Sequence, residues 1–382
     1  KGKTTLYNIP HLSDITNMLS VLDEIGGKCE RTSESVLVDF TDCKKHITPY
    51  ESMSKFRGSF LLAAPLLARM GKARISMPGG CPIGLRPIDL HLKGFSLLGA
   101  EIKKGHGYVD LSCKKLTGNN IYLDFPSVGA TENLIMAATL ADGETIIENA
   151  AREPHIVDTA CFLNACGADI SGAGTSMIRI KGVKNLHGCN YNIAPDMIEA
   201  GTYMAAAAAA GGAVKVCNII PKHMEAITVK LSEIGVGLEV GDNYITVTSD
   251  KKYRGAEIQT NPYPGFPTDM HPQFAAMLCL GSGVSKITER VWSERFKYTD
   301  ELNKMGANIE VIDGTAHING VGALSGGVVR GSDLRAGAAL VIAALASNGE
   351  THVSGLEFLD RGYENIVEKL RSLGADITRS EY

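Results

Sequence analysis

No stretch of this 382-residue chain reaches the ~18 consecutive apolar residues of a membrane span. The most apolar run, residues 204–210, is short and mostly alanine. The nine cysteines are odd in number and contain no C-x-x-C pair. That excludes a disulfide framework and a zinc ribbon, and sets the expectation of a reducing cytoplasm. A net charge of −4 leaves no overall basic footprint for nucleic acid. No G-x-G-x-x-G follows a strand pattern, so a dinucleotide fold is unsupported. Gly2-Lys3-Thr4 lacks the upstream glycine of a phosphate-binding loop. His271 has no partner at metal-ligand spacing and reads as structural; no metal and no cofactor is expected. An initiator Met is also lacking, since the chain opens on Lys1.

What is present is a repeat. Six segments carry the same punctuation around Gly26, Gly99, Gly167, Gly235, Gly306 and Gly374, with separations of 73, 68, 68, 71 and 68 by subtraction. Apolar residues at helical spacing precede each glycine, as at Ile366, Val367, Leu370 and Leu373. The glycine is placed to end that helix in a left-handed conformation. Alternating residues then give a strand, such as 307–311, and often a second one, such as 244–248. Upstream lies a helix that is apolar nearly all round, predicted over 60–70, 133–141, 198–210, 274–280 and 336–346. Such helices are buried, so they pack inside, under the sheets.

One unit therefore reads helix, strand, helix, strand, strand. The chain is predicted to be α/β, with three units in each of two domains, 1–194 and 195–382. Its length already exceeds the ~250–300 residues of one core. The first unit is incomplete, because the buried helix expected before Gly2 is absent; an N-terminal strand and helix are expected upstream of Lys1.

Against this scaffold one loop stands out, Ser76 to His91, with three glycines and three prolines that exclude a helix or an inner strand. Cys81 sits in it between Gly79-Gly80 and Pro82. Neighbouring backbone N–H groups and Arg86 would stabilise a thiolate there, so this thiol could move a proton near neutrality. Cys29, Cys161, Cys166, Cys217 and Cys279 read instead as small apolar fillers. Arg57, Arg86, Arg295, Arg335 and Arg361 fall on loops or near unit starts. They are either a phosphate- and carboxylate-binding set or ordinary ion-paired arginines. Asp269 reads first as a cap or first-turn acid of the fifth unit's buried helix. Ser127-Val128-Gly129 opens the third unit's buried helix, as an anion site or as a plain cap.

Five motifs now coincide. They are Pro78-Gly79-Gly80-Cys81-Pro82-Ile83-Gly84-Leu85-Arg86-Pro87-Ile88-Asp89-Leu90-His91, Asp124-Phe125-Pro126-Ser127-Val128-Gly129-Ala130-Thr131-Glu132, Gly265-Phe266-Pro267-Thr268-Asp269-Met270, Ser332-Asp333-Leu334-Arg335 and Asp360-Arg361-Gly362-Tyr363-Glu364. Together, and in this order, they resemble the signatures of the UDP-N-acetylglucosamine 1-carboxyvinyltransferase family, over essentially the whole chain. The resemblance implies two inside-out α/β domains like those of EPSP synthase, with the active site between them. It implies transfer of the enolpyruvyl group of phosphoenolpyruvate to the sugar-nucleotide 3-hydroxyl with loss of phosphate, the first committed step of peptidoglycan synthesis. No nucleic acid or membrane partner is implied.

The same resemblance makes Cys81 the general acid and the target of the epoxide fosfomycin, and Asp269 the base. It puts Arg86 and Arg361 on phosphoenolpyruvate, with Arg335 beside it and Asp333 in the same substrate-binding segment. Arg57 and Arg295 would line the same cationic cleft. Pro87, Asp89, Leu90, Ser127, Val128, Gly129 and Val291 would hold the uridine and diphosphate. Phe125 stands where some members carry a basic residue, so no charge role falls to it. A family Lys-Asn pair would lie on the helix expected before Lys1, and residues 1–382 taken alone are therefore expected to be nearly inactive. Two alternatives stand beside this reading. One is the shikimate-pathway sister, 3-phosphoshikimate 1-carboxyvinyltransferase, which lacks the cysteine loop. The other is a non-enzymatic clamp built from α/β repeats.

Overall fold

The six repeat glycines all adopt left-handed backbone conformations, with φ between 88° and 103°. A side chain is strained there, which is why glycine recurs at each helix end. In this computed structural model, which describes residues 2–79 and 87–380, the helices they follow are Ser13–Glu24, Asp89–Leu97, Pro154–Ala165, Glu225–Ile234, Tyr298–Lys304 and Ile366–Ser372. Cys81 and Arg86 lie outside the described residues. The chain divides into two compact units, one formed by residues up to 194 and the other beginning at Pro195.

The first unit holds three sheets of one pattern. The strand after each buried helix pairs antiparallel with the last strand of its repeat, which in turn pairs antiparallel with the middle one. Lys72–Ser76, Tyr108–Ser112 and Glu101–Lys104 lie side by side in that order. Lys3–Tyr7, Ser35–Asp39 and Lys28–Arg31 repeat it, as do Glu144–Glu148, Met177–Lys181 and Asp169–Ser171. Two of these sheets gain a parallel edge strand, Asn190–Asn192 beside Lys3–Tyr7 and Asn120–Tyr122 beside Glu144–Glu148.

The strands alternate in burial, as residues of period two must when one face is covered. In Met177–Lys181 only Ile178 and Ile180 are buried. The helices Ala63–Met70 and Val128–Ala138 lie in the core beneath. Their neighbours come very close: a Cβ on Gly94 of the helix Asp89–Leu97 would meet Leu134 Cδ2 at 2.3 Å.

The second unit repeats the scheme with Gly212–Cys217, Tyr244–Ser249 and Gly237–Val240, and with Val284–Thr288, Thr315–Asn319 and Asn308–Ile312. Glu257–Gln259 adds a parallel edge to the latter. Three helices, Met197–Ala210, His271–Leu278 and Leu334–Leu345, pack on one another in its core. Alanine and glycine permit that approach. A Cβ on Gly201 would meet Met270 Sδ and Ile227 Cδ1 at 2.9 Å. Phe274 of His271–Leu278 is fully buried, and its transfer from water contributes about 2–3 kcal/mol.

Four expectations are corrected. The loop expected over Ser76 to His91 is shorter, since Ser76 ends the strand Lys72–Ser76 and Asp89, Leu90 and His91 open the helix Asp89–Leu97. Three buried helices begin earlier than their apolar windows suggested, at Val128, His271 and Leu334, whereas the one expected over 60–70 begins later, at Ala63, after the 3-10 turn Arg57–Leu62. Side-chain caps set two of those starts, Ser127 and Asp333. The sixth repeat forms no strand over 375–380, where no sheet partner is found among the described residues. Cys161 and Cys217 are exposed, unlike buried Cys166 and Cys279, so they are not core fillers.

Candidate active site

In the first unit the chain rejoins the described residues at Pro87, which is exposed, and the helix Asp89–Leu97 starts two residues later. Arg57, at the head of the 3-10 turn Arg57–Leu62, donates through Nη2 to the Pro87 carbonyl at 3.4 Å. At the end of the preceding described segment, Gly79 is dictated by backbone approach: a Cβ there would fall 1.6 Å from the Ser54 carbonyl oxygen.

Asp89 and Leu90 lie in the first turn of that helix, followed by His91, which is buried. The Ser127 hydroxyl caps the helix Val128–Ala138 through the Ala130 N–H at 3.4 Å. Gly129 in its first turn lies over the His91 ring, since a Cβ would meet Cε1 at 3.1 Å. His91 therefore joins two segments singled out separately, Pro87 to Leu90 and Ser127 to Gly129.

Asn133 explains the state of His91. The Asn133 Oδ1 accepts from the Ala64 N–H at 3.2 Å, and its Nδ2 donates to the Phe60 carbonyl at 3.3 Å and to His91 Nδ1 at 2.8 Å. His91 Nδ1 is thus an acceptor, which a protonated ring cannot provide. Burial, with Arg57 nearby and Asp89 opposing, pushes the imidazole pKa down to about 4.

In the second unit Asp269 sits in the turn Thr268–Met270, ahead of the helix His271–Leu278. It is not a cap. One carboxylate oxygen accepts from Arg295 Nη1. The other accepts from Arg335 Nε at 3.2 Å and Nη2 at 3.0 Å. Burial alone would raise this carboxyl, but Arg295 and Arg335, by charge and by hydrogen bond, hold it well below the usual carboxylate range. Both arginines are themselves buried. Arg295 and Arg335 are therefore ion-paired, to the same aspartate.

Arg335 reaches this position because Asp333 caps the helix Leu334–Leu345, accepting from the Arg335 and Ala336 N–H groups at 2.9 and 3.0 Å. Arg335 Nη1 also donates to the Tyr363 hydroxyl at 3.0 Å. Tyr363 lies two residues beyond Arg361, in the turn after Leu356–Leu359. Thr202 and Gln273 hold the same hydroxyl at 2.9 and 3.3 Å. Val291 is half-buried, and its N–H donates to Glu289 at 2.7 Å. Glu289 was missed by sequence reasoning; nothing local marks it out in Ile287-Thr288-Glu289-Arg290. No group of three or more His, Cys, Asp and Glu side chains suited to a metal occurs among the described residues.

Comparisons with known proteins bear on this arrangement. A family model described as EPSP synthase (3-phosphoshikimate 1-carboxyvinyltransferase) matches residues 1–370. A UDP-N-acetylglucosamine 1-carboxyvinyltransferase of Clostridium botulinum is 50% identical over 380 residues, 99% of this chain and 91% of the relative. One from Caldanaerobacter subterraneus is 51% identical over 374 residues, 98% of this chain and 90% of its own length. Among solved structures, the enolpyruvyl transferase NikO from Streptomyces tendae superposes with a TM-score of 0.89 at 26% identity, covering 98% of this chain and 90% of that one. EPSP synthase from Acinetobacter baumannii gives 0.77 at 20% identity, over 100% and 92% of the two chains, which is a likeness of fold. The chain belongs to the EPSP synthase-like enolpyruvyl transferases, and within them to the UDP-N-acetylglucosamine 1-carboxyvinyltransferase family.

Proposed function

We propose that this protein transfers the enolpyruvyl group of phosphoenolpyruvate to the 3-hydroxyl of UDP-N-acetylglucosamine, releasing phosphate, as a cytoplasmic enzyme of peptidoglycan synthesis. The observation that carries this is 50% identity, over 99% of the chain, to a relative of that name. The reaction is addition followed by elimination. Protonation of the phosphoenolpyruvate methylene makes the adjacent carbon electrophilic, the sugar oxygen attacks it, and loss of a proton and of phosphate gives the enol ether.

Cys81 is the acid in this reading. Asp269 is the base at the sugar hydroxyl. Its paired state favours the ionised form, yet a carboxylate this acidic is a weak base at neutral pH. An anionic substrate drawing on Arg335 and Arg295 would loosen those pairs and raise its basicity. Arg86 and Arg361 bind phosphoenolpyruvate, with Arg335 and Asp333 beside it, and Arg57 and Arg295 add positive charge. Pro87, Asp89, Leu90, Ser127, Val128, Gly129 and Val291 hold the nucleotide sugar.

The description of the matching family model favours a second reading, 3-phosphoshikimate as acceptor. Phosphate release from phosphoenolpyruvate by the full-length protein, with each acceptor in turn, separates the two. Release with UDP-N-acetylglucosamine alone is expected, and release with 3-phosphoshikimate alone overturns the proposal. Fosfomycin followed by peptide mapping tests the acid: a single adduct on Cys81 is expected, and an adduct elsewhere removes that assignment.

A further inference from the structure

Glu289 accepts five hydrogen bonds, and its side chain is fully buried. Oε1 accepts from the Thr260 hydroxyl at 2.7 Å and from the N–H groups of Val291 and Trp292 at 2.7 and 3.0 Å. Oε2 accepts from the Thr268 hydroxyl at 2.8 Å and from His271 Nδ1 at 3.0 Å. Burial opposes the ionised form, but these donors more than offset it and hold the carboxyl well below its ordinary range. His271 donates a hydrogen bond from Nδ1 to that carboxylate, its Nε2 lies 2.8 Å from the Tyr298 hydroxyl, and burial lowers the imidazole pKa.

Two arms leave this carboxylate toward the residues named above. One runs through Thr268, whose hydroxyl donates to Glu289 and accepts from Arg295 Nη1 at 2.9 Å; the same Nη1 holds Asp269. The other is the backbone turn itself, since the amides that Glu289 binds are those of Val291 and its neighbour. A charged acceptor is needed, because five donors converge and a neutral amide in its place would turn an N–H toward some of them.

We infer that Glu289 is a positioning residue of the transferase site, fixing Arg295 through Thr268 and the Val291 turn through its backbone, and touching neither substrate. This rests on the function proposed above. Its two arms predict separable effects. Substrate contacts held by Val291 govern acceptor binding, whereas the Arg295–Asp269 pair governs turnover.

The test is steady-state kinetics of the full-length protein and three variants, with melting temperatures measured alongside. Thr268→Val keeps the branched shape and removes the hydroxyl. It is expected to lower kcat by about 10- to 100-fold, the scale of a misplaced catalytic group, with the KM for UDP-N-acetylglucosamine changed less than about 2-fold. Thr268→Ser restores the hydroxyl and is expected to recover kcat to within about 3-fold. Glu289→Gln releases both arms, so kcat falls similarly and KM for the nucleotide sugar rises about 10-fold. Thr268→Val with unchanged kcat overturns the inference, and does so even where Glu289→Gln fails to fold. Equal losses in Thr268→Ser and Thr268→Val also overturn it. A Glu289→Gln protein that melts lower yet keeps both constants reduces Glu289 to a structural role. Absence of phosphate release by the unaltered protein instead overturns the functional reading, and this inference with it.

Discussion

His91 makes the stability of the first unit depend on pH in a range that is easy to reach. Its imidazole is 6% exposed and its pKa is pushed from 6.5 to about 4 by burial and by Arg57, against Asp89. The folded state therefore binds this proton less readily than the unfolded chain. The contribution is complete above the unfolded pKa near 6.5, and it is lost as the pH falls toward 4. A fall from 6.5 to about 4 corresponds to about 3 kcal/mol. Geometry supports the sign, since Asn133 Nδ2 donates to His91 Nδ1 at 2.8 Å and has nowhere to turn while Ala64 holds its Oδ1 at 3.2 Å.

The perturbation is His91→Leu, which cannot titrate. At pH 7.5 it leaves a buried amide N–H without its acceptor and costs about 1–3 kcal/mol. Between pH 7.5 and 4 the wild type should lose about 3 kcal/mol more than the variant, so the stability difference closes or reverses. Urea unfolding of both proteins at pH 7.5, 6.5, 5.5 and 4.5 (nominal steps of about one unit) reads this directly, because every other titrating group cancels in the comparison. Parallel losses across that range would refute the reasoning: His91 would then be protonated in the folded state, or hydrated.

Two further substitutions probe the second unit. Asp333→Ala removes the acceptor of the Arg335 and Ala336 N–H groups and should lower stability by about 1–2 kcal/mol, read as the urea midpoint; an unchanged midpoint would mean that water replaces the cap. Arg335→Lys keeps the charge but cannot span Asp269 and the Tyr363 hydroxyl together. It should lower kcat/KM by about 100-fold or more, and near-normal kinetics would show that only the charge matters.

The residues differ in how openly the sequence declares them. The repeat was legible because each glycine answers a local demand, a left-handed residue at a helix end, and that demand recurs in every unit. The buried helices were legible from apolar residues on all faces, but their starts were not. Thr131 and Arg335 look like surface residues in a linear reading, yet they are buried near the starts of helices that Ser127 and Asp333 cap. The missing sixth-unit strand shows the converse, since Ala375-Asp376-Ile377-Thr378 has a strand's alternation and no partner among the described residues.

The sequence by itself determined the α/β repeat and the family, because these depend on spacing within a few residues and on the order of short motifs. Only the tertiary structure decided the protonation and pairing of the polar groups. Asp269 changed from a cap to the shared partner of Arg295 and Arg335, 26 and 66 residues away. His91 became a buried neutral acceptor, and Glu289 a hub for donors from several segments. The physical reason is that a buried charge or proton is set by whichever donors, acceptors and charges approach it within a few ångströms. Those neighbours come from distant parts of the chain, and the linear pattern around each residue does not contain them.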